Sequence, residues 1–402
     1  MKHPYTCALF LLLAGPLAAQ TALTFTPLAT LPDGGRYGMA YCQDQTAFYM
    51  IGGGSPAAAF NTDVYRYDPL ANSWGSAPLS SGQVPPQRFG TAAIITPNTS
   101  TSLIYTLNSA TGPGPVATVQ ALRTSDGTLS ADLSNPTPAA SAGVAVWNGL
   151  LYAYGGELAD GTFTNALRAY NPATNTWTTL APMAEAKNTR GAAVNGKIYA
   201  VGGFNGVVNS ARVDAYHIAT NTWQALGTLP TTVSTQAVAV QGEWLWMVGD
   251  FTNQNYLAAY HTRTGQLRTF TSNLPPRRNA AAAFRNNRLY VWGGNTASNN
   301  ATTLADMWSA EVGTVLATSA AAPAPVLRAA PNPSSAGFTT LGLPPGTRTV
   351  EVFDALGRRV AAAETAGATN WPLDLSGQPP GIYLVRARPA AGLGTSCRLV
   401  RQ

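Results

Sequence analysis

Four arginines occupy matching places in this 402-residue chain. Arg36, Arg88, Arg190 and Arg278 each lie just ahead of an apolar, strand-like run, with Asn188 and Asn279 beside two of them. A guanidinium group is a forked donor that grips carboxylates through paired charge-assisted bonds. Four around one opening could hold a carboxylate, a sugar acid or an acidic loop; each could equally brace its own loop. Other reactive residues are few. Glu157 and Asp250, at or just after strand-end glycines, are the carboxylates on offer as acid or base. His217 and His261 follow a repeated tyrosine directly, where Asp68 and Asn171 stand elsewhere, which makes them turn residues and not convergent metal ligands. No metal and no cofactor is expected. The chain has no Gly-x-Ser-x-Gly elbow, His-Glu-x-x-His helix or phosphate-cradling loop, so binding is favoured over catalysis.

The elements that must carry these residues repeat. An apolar strand ends in Gly-Gly or Gly-Asp, then comes a tyrosine, then Asn-Thr-Trp or its echo. The copies run Gly53, Tyr67, Trp74; Gly156, Tyr170, Trp177; Gly203, Tyr216, Trp223; and Asp250, Tyr260, Leu267. Glycines 155, 202, 249 and 293 recur at intervals of 47, 47 and 44 residues, the period of one four-stranded propeller blade. Phe48–Ile51 and residues 151–154, 198–201 and 289–292 are short apolar runs suited to strands buried on both faces. Asp68-Pro69 and Asn171-Pro172 begin tight turns, and a tryptophan opens the outer strand after each. The tyrosines and tryptophans are expected to pack between neighbouring blades. Two copies depart from the pattern: residues 103–108 replace the Gly-Gly strand, and Asp250 replaces a second glycine. Counting both predicts six blades centred near Gly52, Leu107, Gly155, Gly202, Gly249 and Gly293. The last copy has no outer strand of its own. Residues 23–32 match the strand after Trp177, so the N-terminal strand is expected to complete the last blade and close the ring.

At these residues the chain resembles the Kelch-repeat family of β-propellers, over about residues 20–315. The resemblance implies that the segments carrying the four arginines open on a central channel. Copper oxidases on Kelch-like propellers use paired histidine and tyrosine with a cysteine cross-link, and the histidines for that are missing.

Charge excludes one class of partner. Residues 20–327 balance to +1 and residues 328–402 to +4, within a total of +6. A near-neutral repeat region lacks the basic footprint that phosphate backbones require, so no nucleic acid is expected. Outside the leader only Cys42 and Cys397 remain, too few for a disulfide framework or a cysteine zinc site. Lys2 and His3, an apolar stretch and small residues up to Ala19 make residues 1–19 an export signal. Cys7 stands inside that stretch, which argues against a lipid anchor, and no transmembrane segment is expected in the mature chain.

Residues 313–330, rich in alanine and proline, suit a linker between residues 20–312 and residues 331–402. The end of the chain alternates like a small β-sandwich, with strands expected at 348–354, 357–363, 370–375, 381–388 and 395–400. It resembles the C-terminal sorting domain of the type IX secretion system, an Ig-like unit. The resemblance rests on Pro331, Asn332, Pro333, Asp354, Gly357, Arg358, Gly381, Tyr383 and Arg398 with their neighbours. It implies a Bacteroidota-type outer-membrane export route, secretion and tail-processing machinery as partners, and a mature protein that is secreted or held at the cell surface.

The expected fold is therefore all-β: a six-bladed Kelch-type propeller and a C-terminal sandwich. The expected function is binding of an extracellular protein or glycan. The alternatives are a sugar-active enzyme resembling Kelch-fold sialic-acid mutarotases, and a structural component of a surface layer or biofilm matrix.

Overall fold

The computed structural model describes residues 21–80, 84–85, 87–98, 101–111, 114–131, 134–298, 300–313, 327–344, 347–365, 368–389 and 395–402. The expected signal peptide lies outside these residues, as does most of the expected linker. The chain divides into two compact units, residues 1–313 and 314–402.

Among the described residues of the first unit, the strands form six sheets in chain order, besides a small two-stranded sheet of Ala110–Thr111 and Gly114–Pro115. Sheet 1 runs Ala40–Gln43, Phe48–Ile51, Val64–Asp68, Ser73–Ser76, and sheet 2 runs Thr91–Asn98, Thr101–Leu107, Gln120–Arg123, Leu129–Ala131. Sheet 3 comprises Gly143–Trp147, Leu150–Tyr154, Leu167–Asn171 and Thr176–Leu180; sheet 4 comprises Asn188–Val194, Lys197–Phe204, Arg212–His217 and Thr222–Thr228. Sheet 5 holds Ala237–Gln241, Trp244–Val248, Leu257–His261 and Leu267–Ser272, and sheet 6 holds Ala281–Arg285, Arg288–Trp292 and Met307–Glu311. First strands of successive sheets touch in a closed circuit, from sheet 1 round to sheet 6 and back.

The strand-end glycines are what join one sheet to the next. The amides of Gly53, Gly156, Gly203 and Gly294 donate to the carbonyls of Gln87, Lys187, Val233 and Arg36 at 2.7–2.9 Å. These acceptors belong to the segment leading into the following sheet. The glycine before each donor sits at φ 60–65°. At Gly202 and Gly293 a Cβ would clash with the carbonyl oxygen of Val233 or Arg36, so the close approach permits no side chain. Asn108 takes the first-glycine place in sheet 2 at φ 59°, a conformation asparagine tolerates better than most residues.

The repeated tyrosines meet the expectation of packing between sheets. Tyr67 lies among Phe48, Tyr290 and Trp292 of sheets 1 and 6, and Tyr170 stands edge-on to Tyr105 of sheet 2. Tyr216 packs with sheet 3, and Tyr260 with sheet 4. Their hydroxyls have a fixed partner five residues on: Tyr67, Tyr170 and Tyr216 donate to the side-chain oxygens of Asn72, Asn175 and Asn221 at 2.8, 2.9 and 2.8 Å.

The N-terminal segment is shared between two sheets. Thr26–Pro27 pairs antiparallel with Met307–Glu311 and supplies the fourth strand of sheet 6. Thr21–Leu23 instead adds in parallel to Leu267–Ser272 of sheet 5. Leu23 was expected in the outer strand of the last blade; it belongs to the sheet before it. Asn273 makes the switch by bonding both the amide and the carbonyl of Phe25, at 2.7 and 2.9 Å.

In the second unit, Arg328–Ala330, Phe338–Gly342 and Asn370–Asp374 form one sheet. Arg359–Glu364, Thr347–Phe353, Gly381–Pro389 and Thr395–Arg401 form the other. Arg328–Ala330, assigned by composition to the linker, is a strand because its backbone pairs with Phe338–Gly342. The two sheets share one core around Leu341, Val352, Val385 and Leu399.

Candidate functional site

Strand register decides which residues reach the axis of the first unit. The residues that follow the strand-end pairs of sheets 3 to 6, and residues at or just before the start of each first strand, converge on one face. There they line a cavity of about 490 Å³. Arg88, Arg190, Arg278, Asn188 and Asn279 all line it, together with Glu157, Phe204, Phe251 and Asn295.

The three arginines are held in different ways. Arg88 donates from Nη1 to the Tyr37 hydroxyl at 2.5 Å, and its guanidinium lies 4.7–5.5 Å from the ring centroids of Phe89, Phe60 and Tyr37. Arg190 donates from Nη1 to the Ser141 and Ala142 carbonyls of sheet 3's leading segment, at 2.9 and 3.0 Å. Arg278 donates to Ser298 Oγ at 2.8 Å and stacks 4.2 Å over Phe251. Among the described residues, none of these three stands in an ion pair. Burial makes the charged form costlier and pulls the pKa of Arg278 down; Arg190 is pulled down for the same reason, partly opposed by Tyr41 and Tyr154. Nε of Arg88, Nε of Arg278, Oγ1 of Thr235 and Oε1 of Gln236 are buried without a hydrogen-bond partner. Such groups carry a desolvation cost that a polar ligand would relieve.

Arg36 is not part of the mouth. It is buried and paired with Asp63 at 2.8 Å and Asp33 at 3.5 Å, and its carbonyl accepts the ring-closing bond from Gly294. Asp250 is also committed elsewhere: its carboxylate accepts the amides of Ser234, Thr252 and Asn253 at 2.6, 3.0 and 2.8 Å. Glu157 is exposed on the cavity wall. His217 bonds Gln224 and His261 lies beside Glu243, on separate sheets. Among the described residues no group of three or more metal-ligating side chains exists. Cys42 and Cys397 are free and belong to different units.

A smaller cavity of about 180 Å³ shares Arg190, Thr235, Gln236 and Asn279 with the larger one. It is bordered by Tyr41, whose hydroxyl bonds both the carbonyl and the amide of Val238 at 3.2 and 3.1 Å. Sequence reasoning missed Tyr37, Phe204, Phe251, Gln236 and Asn295. A signal for three of them was present: Phe204, Phe251 and Asn295, like Glu157, follow the strand-end pair directly.

In the second unit, Asn332 bonds the edge strand on both sides, donating to the Arg398 carbonyl at 2.7 Å and accepting from the Val400 amide at 2.9 Å. Pro331 accepts from Thr339, and Pro333 precedes Ser334, which bridges Arg401. Arg358 pairs with Asp354 at 2.7 Å around the turn at Gly357; Tyr383 is buried and donates to the Pro379 carbonyl at 2.6 Å; Gly381 pairs with Arg401.

Two stretches, residues 138–184 and 187–230, match the Kelch motif. A 71-residue segment is 45% identical to Kelch-like ECH-associated protein 1A of Danio rerio. That segment covers 17% of this chain and 12% of the relative, so the match spans a small part of both proteins. These matches support the Kelch-repeat family for the repeats, and an all-β ring of such sheets fits a β-propeller. Among the described residues no helix is long and apolar enough to cross a membrane.

Proposed function

We propose that the first unit is a six-bladed Kelch-type propeller that binds an extracellular partner through an anionic group seated in its mouth. One observation carries this reading: Arg88, Arg190 and Arg278, from three different sheets, line one cavity and none of them is ion-paired among the described residues, Glu157 standing exposed on the wall. Buried positive charge without a counter-ion is costly, and an incoming carboxylate of an acidic loop or sugar acid would supply it. Phe251 and Val207, both exposed at the rim, would cover the apolar flank of such a group. Kelch motifs favour a protein partner over a glycan.

Binding of acidic peptides and an array of acidic glycans to the full chain tests the reading. Arg190→Ala and Arg278→Ala should each weaken a bound anion by about 1.5–3 kcal/mol with little change in melting temperature. Arg36→Ala should do the reverse. If both mouth variants lower the melting temperature and leave affinity intact, these arginines only brace the loops.

Glu157 in the same cavity favours one second reading, a sugar-active enzyme resembling the sialic-acid mutarotases. Loss of sugar conversion but not sugar binding in Glu157→Gln would select it.

The second unit, a β-sandwich, is proposed as a type IX-like sorting domain that delivers the propeller to the medium or cell surface and is then removed. Asn332, by holding Arg398 and Val400, ties the first motif to the last. Mass spectrometry of the exported protein should find chains ending before residue 328; recovery of only the intact C-terminus at Gln402 would refute removal.

A further inference from the structure

The second unit concentrates its large exposed apolar side chains at one end. Phe338, Leu356, Ile382 and Leu384 are 57, 79, 52 and 42% exposed. Leu356 sits in the turn between Thr347–Phe353 and Arg359–Glu364. Phe353 stands opposite Leu384, and Ile382 opposite Val400, so these side chains share the turn's end of the sheet. Phe338 belongs to the other sheet but reaches the same end: its carbonyl accepts from Ser334, which bridges Arg401, and Arg401 reaches back to the Ser376 carbonyl at 2.8 Å.

Arginines surround this apolar end. Leu384 is directly opposite Arg398, and Arg358 closes the turn that carries Leu356. Arg401 lies on the last strand. The nearby acids are Asp354, paired with Arg358, and Asp374, which accepts the Ser376 amide and lies near Arg401; Arg398 stands in no ion pair among the described residues. Residues 328–402 hold eight arginines, no lysine and four acids. A second copy of the same end would set arginines against arginines, which argues against self-association.

We propose that this end of the second unit docks on an anionic lipid surface, with Leu356, Ile382, Leu384 and Phe338 entering the interface and Arg358, Arg398 and Arg401 meeting headgroups. Ile382 and Leu384 alternate with the buried Tyr383 and Val385 and so project from the outer face of their sheet, beside the Leu356 turn; Phe338, next to the buried Thr339, projects from the outer face of the other sheet, which makes this end apolar on both sides. The groove of this unit lies elsewhere, over Thr349, Glu351, Ala362 and Arg388. An end apolar on both sides enters a fluid interface, which closes round it, where a folded partner would need a cleft fitting both faces. Apolar side chains flanked by arginine are the composition that partitions at anionic bilayer surfaces, because the guanidinium groups stay in the headgroup layer.

Flotation of the full chain with phosphatidylcholine vesicles, with or without about 30 mol % phosphatidylglycerol, tests the proposal. Wild type should float with the anionic vesicles and much less with neutral ones, and added salt should weaken the association. Leu356→Asp with Ile382→Asp should lower the partition at least about tenfold, and Arg398→Glu by about fivefold or more. Melting temperatures near wild type would show that the variants fold. If Leu356→Asp with Ile382→Asp is destabilised, Arg398→Glu carries the test alone. No flotation of wild type with anionic vesicles overturns the proposal, as does unchanged flotation of the folded variants. Retention on immobilised polyglutamate without vesicle binding would assign the end to an acidic protein surface and also overturn it.

Discussion

The amide of Gly294 donates to the carbonyl of Arg36 at 2.7 Å, and this bond joins the last sheet to the first. It is the same clasp that Gly53, Gly156 and Gly203 make with their following segments. Ring closure therefore reuses the repeat's own chemistry across more than two hundred residues of chain. Gly293, just before it, lies at φ 60°, where a Cβ would press on the Arg36 carbonyl and the Met39 side chain.

Gly293→Ala should cost about 3 kcal/mol or more, because the added methyl meets backbone that cannot yield. Gly149→Ala is the control. Gly149 has a similar φ of 76°, but open space surrounds its Cβ position, so only the left-handed strain of about 1–2 kcal/mol applies. Urea denaturation of both variants checks the difference; equal losses would show that the clasp geometry is unimportant.

Asn221 serves two sheets at once. Its side-chain oxygen accepts the Tyr216 hydroxyl and the Ala181 amide of the preceding sheet's edge, both at 2.8 Å, and Trp223 donates to the Ala181 carbonyl. Asn221→Gly keeps the φ of 52° accessible and loses the bonds, so it should cost about 1–2 kcal/mol. Asn221→Ala should cost about 1 kcal/mol more through backbone strain. If the two variants are equally stable, the turn conformation contributes nothing.

Positions imposed by backbone geometry are legible in the sequence. Gly202, Gly293 and the tyrosine–asparagine pair recur because each copy meets the same close approach and the same turn. Asp250 shows why one copy drifts: it leaves the left-handed region that Gly53, Gly156, Gly203 and Gly294 occupy, and uses its carboxylate to hold amides instead. The mouth is less legible, because the repeats contribute unequally, from Tyr37 alone in the first to Asn188, Arg190, Phe204 and Val207 with others in the fourth. Arg36 reads in the sequence like Arg88, yet it stands one position earlier in its repeat: its carbonyl takes the clasp bond that Gln87 takes in the next, Tyr37 holds the place of Arg88, and Asp63, 27 residues away, pairs with the Arg36 guanidinium. Nothing local in the sequence marks that pairing. The parallel strand Thr21–Leu23 is equally hidden, since its partner lies some 250 residues on.

Stability should fall on acidification through two partly buried carboxylates. Burial raises the pKa of Asp44, but the Thr46 and Ala47 amides and the Thr46 and Tyr49 hydroxyls outweigh it and hold the group below its ordinary value. Burial likewise raises Glu185, and Lys187 with Ser210 outweighs it. A folded-state pKa below the unfolded value stabilises above the ordinary carboxylate range, and that stability is lost as pH falls through the folded value. The urea midpoint should therefore drop between about pH 5 and pH 3. Asp44→Asn combined with Glu185→Gln should start lower near neutral pH and flatten that drop. An unchanged slope in the double variant would place the acid sensitivity elsewhere.

Residues 21–31 are the part of the first unit whose loss should cost most for its length. They complete sheet 6 through Thr26–Pro27 and add a fifth strand to sheet 5 through Thr21–Leu23. Leu23, Phe25 and Leu31 are all buried, and each withdraws about 2 kcal/mol of apolar transfer energy when removed. Deleting the segment also strips partners from the outer edges of Leu267–Ser272 and Met307–Glu311, leaving strand edges free to pair with other chains. The truncated protein should aggregate or melt far below wild type. Phe25→Ala, which keeps the pairing but empties one buried site, should cost about 3–5 kcal/mol and remain soluble. Chemical denaturation and light scattering distinguish the two effects. A truncated chain as stable and as monodisperse as wild type would show that the ring holds without its N-terminal strand.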